Sequence, residues 1–359
     1  MAEVWYCTRE DVMGALDVKL SARMTAQVDR AIGSGARSLE GQLHRSFRPW
    51  YGTRYFDWPT RDSRSSWRLW LYENELISLD TLTAGGVTIA SGDYFLEPAN
   101  TGPPYSRIEI DRSSSAVLSP GSTAQRAVAG LGLWGFRNDE ILVGQLGSTL
   151  DANEADTASA TWSTASVGVG DVLRIDNERL IVTEKTMVDT GQDVGGGGLT
   201  ASMGNATLTV ADGTAFAIGI VLGIDSERML VVDVAGNNLT VKRAWQGTVL
   251  AAHTAGTDVY SLTGVELARA QLGTALAAHS TSAGIYRHLV PGLVRELNIA
   301  EAINTIQQEG SGYARRSGLG EERGSGGARS QIEASGRGLE DIRSQAYTSF
   351  GRKARNRAV

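Results

Sequence analysis

Two acidic pairs and two histidines are the residues of this chain whose types and spacing come closest to chemistry. Asp176 with Glu178, and Asp225 with Glu227, set two carboxylates two residues apart, as a paired acid-base site or an oxygen-lined cation site would need. His253 and His279, two of the four histidines, are the metal or proton-transfer candidates by type. Neither belongs to an HExxH pattern, and the acidic pairs lack EF-hand spacing. Cys7 is the single cysteine, which excludes an intrachain disulfide and a multi-cysteine metal site. Serine and cysteine nucleophiles lack a base and an orienting acid, and no Walker lysine follows Gly195 to Gly198. No catalytic residue, metal ligand or cofactor is therefore expected, and the chain reads as a non-enzyme. A pocket joining Asp225, Glu227 and His253 in workable geometry would revive the enzyme reading.

Repetition offers another account of the same residues. Gly170 to Val182 reads GDVLRIDNERLIV, and Gly219 to Val231, displaced by 49 residues, reads GIVLGIDSERMLV, with 8 of 13 positions identical. Each copy has the form strand, polar turn, strand, with Asp176-Asn177 and Asp225-Ser226 in the turns. Arg243 to His253 reads RAWQGTVLAAH, and Arg269 to His279, displaced by 26 residues, reads RAQLGTALAAH. Taken alone, Val265 to Ala278 resembles an Ala-rich helix. Its likeness to the β-prone run Leu239 to Arg243 instead predicts a strand leading into a loop, which places both histidines in loops. The repeated acids then serve loop architecture, with Arg179 and Arg228 pairing to neighbouring acids. Asp189 to Ser202, with its four consecutive glycines, reads as a flexible connection between the related units.

The elements that must carry these loops follow from periodicity. Thr8 with Glu10 and Asp11 after it caps a short helix through Val12, Leu16 and Leu20. A second helical pattern runs from about Ser21 to His44, with Gly33 and Gly35 counting against its continuity. Trp67 to Leu71, Leu76 to Leu82, Val87 to Ile89, Tyr94 to Leu96, Ile108 to Ile110 and Val128 to Phe136 predict short strands of one small antiparallel sheet. After Pro291, Leu293, Leu297, Ala300 and Ile306 return to helical spacing. Gly310 to Gly327 is Gly, Ser, Arg and Glu rich and is expected to be mobile, and Leu339, Ile342, Ala346 and Phe350 form a last amphipathic stripe.

At 359 residues and 42% hydrophobic content the chain suits two or three folded domains, and its 43 glycines follow no three-residue period. Met1 to Tyr6 lacks the basic start and apolar run of a secretory signal, and no apolar stretch approaches membrane-spanning length, so a soluble protein without a membrane span is expected. The net charge of -6 is uneven: 14 acidic against 6 basic residues from Asp151 to Tyr260, and 10 basic against 5 acidic from Ser311 to Val359. The fold class expected is α+β. Residues 1–150 form a helical core with a small sheet, 151–290 an inserted region of repeated all-β modules, and 291–359 a helix, a Gly-rich linker and a basic tail.

Between Phe47 and Trp70 aromatic residues and arginines interleave. Trp, Tyr and Arg are the side chains that anchor protein interfaces, so Trp50, Tyr51, Tyr55 and Trp58, with Leu339, Ile342 and Phe350, are the candidate subunit-interface residues. Stacking on nucleic acid is a second use of such a run, weakened by the acidic balance. Arg352, Lys353, Arg355 and Arg357 are candidates for docking on an acidic partner surface.

With its start YCTREDVMGAL, the run FRPWYGTRYFDWP, the segments ISLDTLTAGGVTIASGDYFLEP and PPYSRIEI, the stretch GIDSERMLVVDVAGNNLTVKRAWQGTVLAAH and the end LEDIRSQAYTSFGRKARNRAV, the chain resembles the head-to-tail adaptor, or head-completion connector, family of tailed bacteriophages. The resemblance implies a virion protein made in the host cytoplasm. It implies a ring, usually twelve-fold, between the portal protein and tail or further neck proteins, with DNA passing through without sequence-specific recognition. Another neck or tail structural protein is the nearest alternative. A glycan or cell-surface binding β module is the next, and would need exposed Trp162, Trp245 or Tyr260.

Overall fold

The computed structural model describes residues 5–16, 22–59, 66–152, 157–158, 167–310 and 326–352. The chain is a mixed helix and sheet protein with several antiparallel sheets. None of its described helices is long and apolar enough to cross a membrane.

Helix α1 (Arg9–Leu16) starts at a reciprocal cap, in which Thr8 N donates to Asp11 Oδ2 at 2.9 Å and Asp11 N donates to Thr8 Oγ1 at 3.1 Å. Helix α2 (Ala22–Leu43) runs unbroken through both glycines. Gly35 has a packing reason: a Cβ there would stand 2.9 Å from Asn298 Nδ2 and 3.0 Å from Glu301 Cβ. The helix thus accepts the roughly 1 kcal/mol cost of glycine in return for close approach to α3 (Gly292–Gly310). Val28, Ile32 and Leu39 of α2 and Val294, Leu297 and Ala302 of α3 are all buried, so helices from the two ends of the chain share a core. Helix α4 (Gly326–Phe350) adds Leu339 and Ala346 to it, and Arg343 clamps Glu301 of α3 with bonds of 2.7 and 2.9 Å.

Two sheets, rather than the single one expected, follow the helices. Strands β1 (Trp50–Phe56), β3 (Leu76–Ala84), β4 (Val87–Ile89) and β7 (Val128–Trp134) pair in the order β1-β7-β3-β4. Strands β2 (Arg68–Trp70), β5 (Tyr94–Glu97) and β6 (Arg107–Ile110) pair as β2-β6-β5. The two sheets share one core containing Phe56, Trp58, Leu69, Leu82, Ile108 and Trp134. The split escaped the sequence because strand runs do not state their partners, and β1 lay within a run that read as an aromatic and arginine interface.

Among the described residues the third sheet has ten strands: β8 (Glu140–Gln145), β9 (Thr157–Ala158), β10 (Val172–Ile175), β11 (Glu178–Asp193), β12 (Thr207–Thr209), β13 (Val221–Ile224), β14 (Glu227–Ala235), β15 (Asn238–Lys242), β16 (Asp258–Ala268) and β17 (Gly284–His288). Their order is β12-β15-β14-β13-β16-β11-β10-β17-β8, with β9 also on β16. Val265 lies in β16, and Arg269 to His279 is a loop. Asp189 to Ser202 is not a free connector: Asp189 to Asp193 belong to β11, Val194 and Leu199 are buried, and a Cβ on Gly198 would meet His253 O at 2.5 Å. Of the glycines that suggested a linker, Gly195 and Gly198 serve a close backbone approach.

Strand pairings recur at fixed offsets. In β10 and β11, Val172 faces Ile181 and Ile175 faces Glu178; in β13 and β14, Val221 faces Leu230 and Ile224 faces Glu227. Ile181 faces Ala268 and Val182 faces Leu267 across β11 and β16, as Leu230 faces Lys242 and Val231 faces Val241 across β14 and β15. Both ladders then slip, between Val182 and Glu184 and between Val231 and Asp233. One difference remains. Strands β14 and β15 close after the Ala235-Asn238 pair, whereas β11 and β16 run on past the corresponding Thr186-Gly264 pair, through Val188-Ser261 to Asp193-Asp258.

Candidate functional site

The turn from β13 to β14 places Asp225 in the left-handed region, at φ 51°, and turns Asp225 and Glu227 toward the loop that follows β15. The turn from β10 to β11 does the same for Asp176, at φ 49°, and Glu178. Each opposing loop is folded by a threonine and left-handed residues. Arg228 N donates to Thr248 Oγ1 at 3.0 Å and Arg179 N to Thr274 Oγ1 at 2.9 Å, while Ala244 and Ala270 have φ of 52° and 53°.

Glu227 is fully buried and its two oxygens are saturated. Arg243 Nε and Ala244 N donate to Oε1, each at 2.8 Å. Arg243 Nη2, Ala251 N and His253 Nε2 donate to Oε2 at 2.8, 3.0 and 3.0 Å. The other ring nitrogen, His253 Nδ1, lies 2.7 Å from Asp225 Oδ2. Arg243 extends the clasp to the backbone, donating to the carbonyls of Thr200, Asn205 and Ala251.

The second cluster repeats the first donor for donor around its glutamate. Arg269 Nε and Ala270 N donate to Glu178 Oε1 at 2.8 and 2.9 Å. Arg269 Nη2, Ala277 N and His279 Nε2 donate to Oε2 at 2.7, 3.0 and 2.9 Å, and His279 Nδ1 lies 2.8 Å from Asp176 Oδ2. Arg269 also donates to the carbonyls of Asp151 and Ala277. The histidine backbones are tied alike, His253 to Leu199 and His279 to Leu150.

Burial is the largest single influence on each glutamate and opposes ionisation. The arginine, the two backbone N–H groups and the histidine together outweigh it and hold Glu178 and Glu227 at about 2. Because this lies below the ordinary 4.5, the unfolded chain takes up these protons first as pH falls. The contribution of the clasps is therefore complete above about pH 4.5 and is lost between there and about pH 2. Urea midpoints measured across this window should fall with pH, and the fall should be shallower in a Glu178→Gln, Glu227→Gln double variant. Equal slopes in the two proteins would show that the glutamates do not govern it.

Such an arrangement fastens loops and offers little reactivity. A carboxylate with five donors has no lone pair placed for a proton or cation, and each imidazole is held on both nitrogens. Asp225, Glu227 and His253 do meet, but they meet in a packed contact, with the His253 and Glu227 side chains fully covered. The described residues hold no group of three or more His, Cys, Asp or Glu suited to a metal ion. No family model, curated protein or solved structure matches this chain.

The arginines that complete the clusters, Arg243 and Arg269, were conspicuous only as repeat letters; the signal was their constant ten-residue spacing from a histidine. Arg179, expected to pair with a nearby acid, forms an ion pair with Glu140 at 3.7 Å and also donates to the side-chain oxygen of Asn138, whereas Arg228 donates to the side-chain oxygen of Gln246. An exposed acid beside each turn is already committed to histidine.

Most of the interface candidates are placed within the chain. Trp58 and Leu339 are buried in its own cores, and Ile342 and Phe350 pack against the helices. Phe350 joins Phe47 and Phe136 in edge-to-face contacts, with centroids 5.5 to 5.8 Å apart. Trp50 is half-buried beneath Arg54, whose guanidinium lies 4.4 Å from the ring. Tyr51 N donates to Leu272 O at 2.8 Å, tying β1 to the Arg269 loop, and Tyr55 is 59% exposed. Arg352 is engaged in cis, donating to Tyr72 O at 2.7 Å and Glu73 O at 3.3 Å, so its guanidinium already has partners within the chain. Lys353, Arg355 and Arg357 lie outside the described residues, as do Trp162 and residues 311–325 of the Gly-rich stretch. Trp245 carries Lys242 Nζ 4.7 Å above its ring, which occupies a face that a sugar would need.

Proposed function

We propose that this chain is a structural assembly subunit whose chemistry-bearing side chains serve as loop clasps. The observation that carries this reading is the saturation of Glu178 and Glu227, repeated in both clusters, in groups otherwise equipped for acid-base work. A catalytic carboxylate needs a free lone pair and a pKa near its working pH. These have neither.

The β region, in this reading, is a module set into the tip of its own copy. Residues 187 to 263 stand where the β14-β15 hairpin has its short turn, and the repeated pairings on either side support this. Hairpin tips are the sites at which chains tolerate insertions. The helical and smaller sheet elements would form the assembly core, and the nested modules would project from it to meet neighbours.

More specifically, the resemblance in the quoted segments favours a subunit of a phage neck. It would form an oligomeric ring between portal and tail components and extend the DNA channel. Exposed Tyr55 is the candidate anchor that the fold leaves on the surface. Native mass spectrometry and electron microscopy of the purified chain, alone and with portal-containing particles, test this. A ring-sized species, or density between portal and tail, is expected. A chain that stays monomeric and joins no such particle would overturn the neck assignment.

A further inference from the structure

Beyond the clasps lies a second polar cluster, where the chain before α1, the α2-β1 connection, the start of β10 and the end of β17 meet. A cavity of about 20 Å³ is lined there by Trp5, Cys7, Arg48, Gly170, Asp171 and His288. Four buried polar atoms on its walls have no hydrogen-bond partner: Trp5 Nε1, Arg48 Nε, Arg48 Nη1 and His288 Nδ1. Arg48 is 3% exposed and makes one long bond, from Nη2 to Gly170 O at 3.4 Å. Buried Arg9, Arg243 and Arg269 by contrast each donate to a carboxylate at 2.7 to 2.9 Å.

We propose that this cavity binds one small anion of halide size, held by Arg48 and the Trp5 indole N–H. Three N–H donors and a guanidinium without a carboxylate partner define the ligand as an anion, and the small cavity suits a compact one such as a halide. Asp171 is the carboxylate on the wall, but it accepts from Gly168 N at 2.9 Å and faces Arg287 at 3.9 Å, so it does not substitute as the partner of Arg48. A water would meet the donors while leaving the charge unanswered.

His288 couples the site to protons. Its Nε2 donates to Phe47 O at 3.0 Å, which leaves Nδ1 as a lone pair on the cavity wall. Burial, with Arg48 and Arg179 nearby, lowers its pKa to about 4, while the Phe47 carbonyl and Glu140 act in the opposite direction. Asp171 also lines the cavity, and Cys7 and Tyr6 beside it are held protonated by burial. An entering anion repels the Nδ1 lone pair and favours its protonation, so halide and proton are taken up together.

The test uses the full chain with bromide as probe. Thermal midpoints are measured in sodium bromide and in sodium gluconate at equal ionic strength, at pH 7.5 and pH 5.5. Bromide should raise the midpoint by roughly 2–4 °C near tenfold saturation, more at the lower pH, and the difference should vanish in Arg48→Met. Should that variant fail to fold, anomalous diffraction from wild-type crystals grown in bromide decides, with a peak between Arg48 and Trp5 expected. Equal midpoints in the two salts, or an ordered water in place of the peak, would overturn the site.

Discussion

Glu227→Gln should lower the stability of the β region by about 3–5 kcal/mol, the cost of removing one partner from a buried ion pair. Gln keeps the volume of the side chain but removes its charge and turns one of two acceptors into a donor. Arg243, Ala251 N and His253 Nε2, which all point at Oε2, then face a donor or lose their partner. Glu178→Gln should cost a similar amount, because its five donors are equivalent and lie at distances within 0.1 Å of those around Glu227. The paired Glu227→Leu, Arg243→Met variant should recover only part of the loss. It removes both charges, yet leaves Ala244 N and Ala251 N without an acceptor, at about 1–3 kcal/mol for each buried unpaired group. Urea denaturation with hydrogen exchange at Ala244 and Ala251 reads this directly. A loss below about 1 kcal/mol in Glu227→Gln would mean that the clasp is not what holds the loop.

Replacing residues 187–263 with a Gly-Asn turn should leave the rest of the chain folded, with the Glu178 clasp intact. The pairs from Ile181-Ala268 to Thr186-Gly264 would then form a hairpin like Leu230-Lys242 to Ala235-Asn238, which Gly236 and Asn237 already close. Shortening a loop lowers its closure entropy only slowly, so the change is thermodynamically mild. The lost contacts are those of the outer module, whose core of Leu222, Met229, Val231 and Leu239 is distinct from that of Leu173, Leu180, Val182 and Leu267. The excised piece should fold by itself, because it carries its own core and its own Glu227 clasp. Cooperative unfolding of both products is the expected result. A molten remainder, with secondary structure but no cooperative transition, would show that the modules depend on each other. The excised chain also separates the two levels of the functional proposal: if it still assembles, the outer module is peripheral to the ring.

Much of this organisation was legible in the residues. The GDVLRIDNERLIV and GIVLGIDSERMLV copies marked two equivalent strand-turn-strand units, and the RAxxGTxLAAH copies marked two loops, because local turn chemistry is written in contiguous residues. The likeness between these loops correctly turned the Ala-rich run near Val265 from helix to strand. The start of α1 was legible too, since a cap such as Thr8 with Asp11 is satisfied within one turn, whereas α4 begins at Gly326, well before the Leu339 to Phe350 stripe that marked it. Gly195 to Gly198 misled, because glycine signals freedom and close approach equally, and only a neighbouring backbone distinguishes them. Gly35 was misread for the same reason, with α3 as the neighbour.

By itself, then, the sequence determined where the two Asp-x-Glu turns and the two RAxxGTxLAAH loops lie. Only the tertiary structure decided which arginine meets which glutamate. Glu227 is answered by Arg243, 16 residues on, but Glu178 is answered by Arg269, 91 residues on, across the whole of the outer module. That choice is not local: each buried carboxylate takes the arginine that its own strand ladder carries to it, and the ladder exists only once the chain has folded.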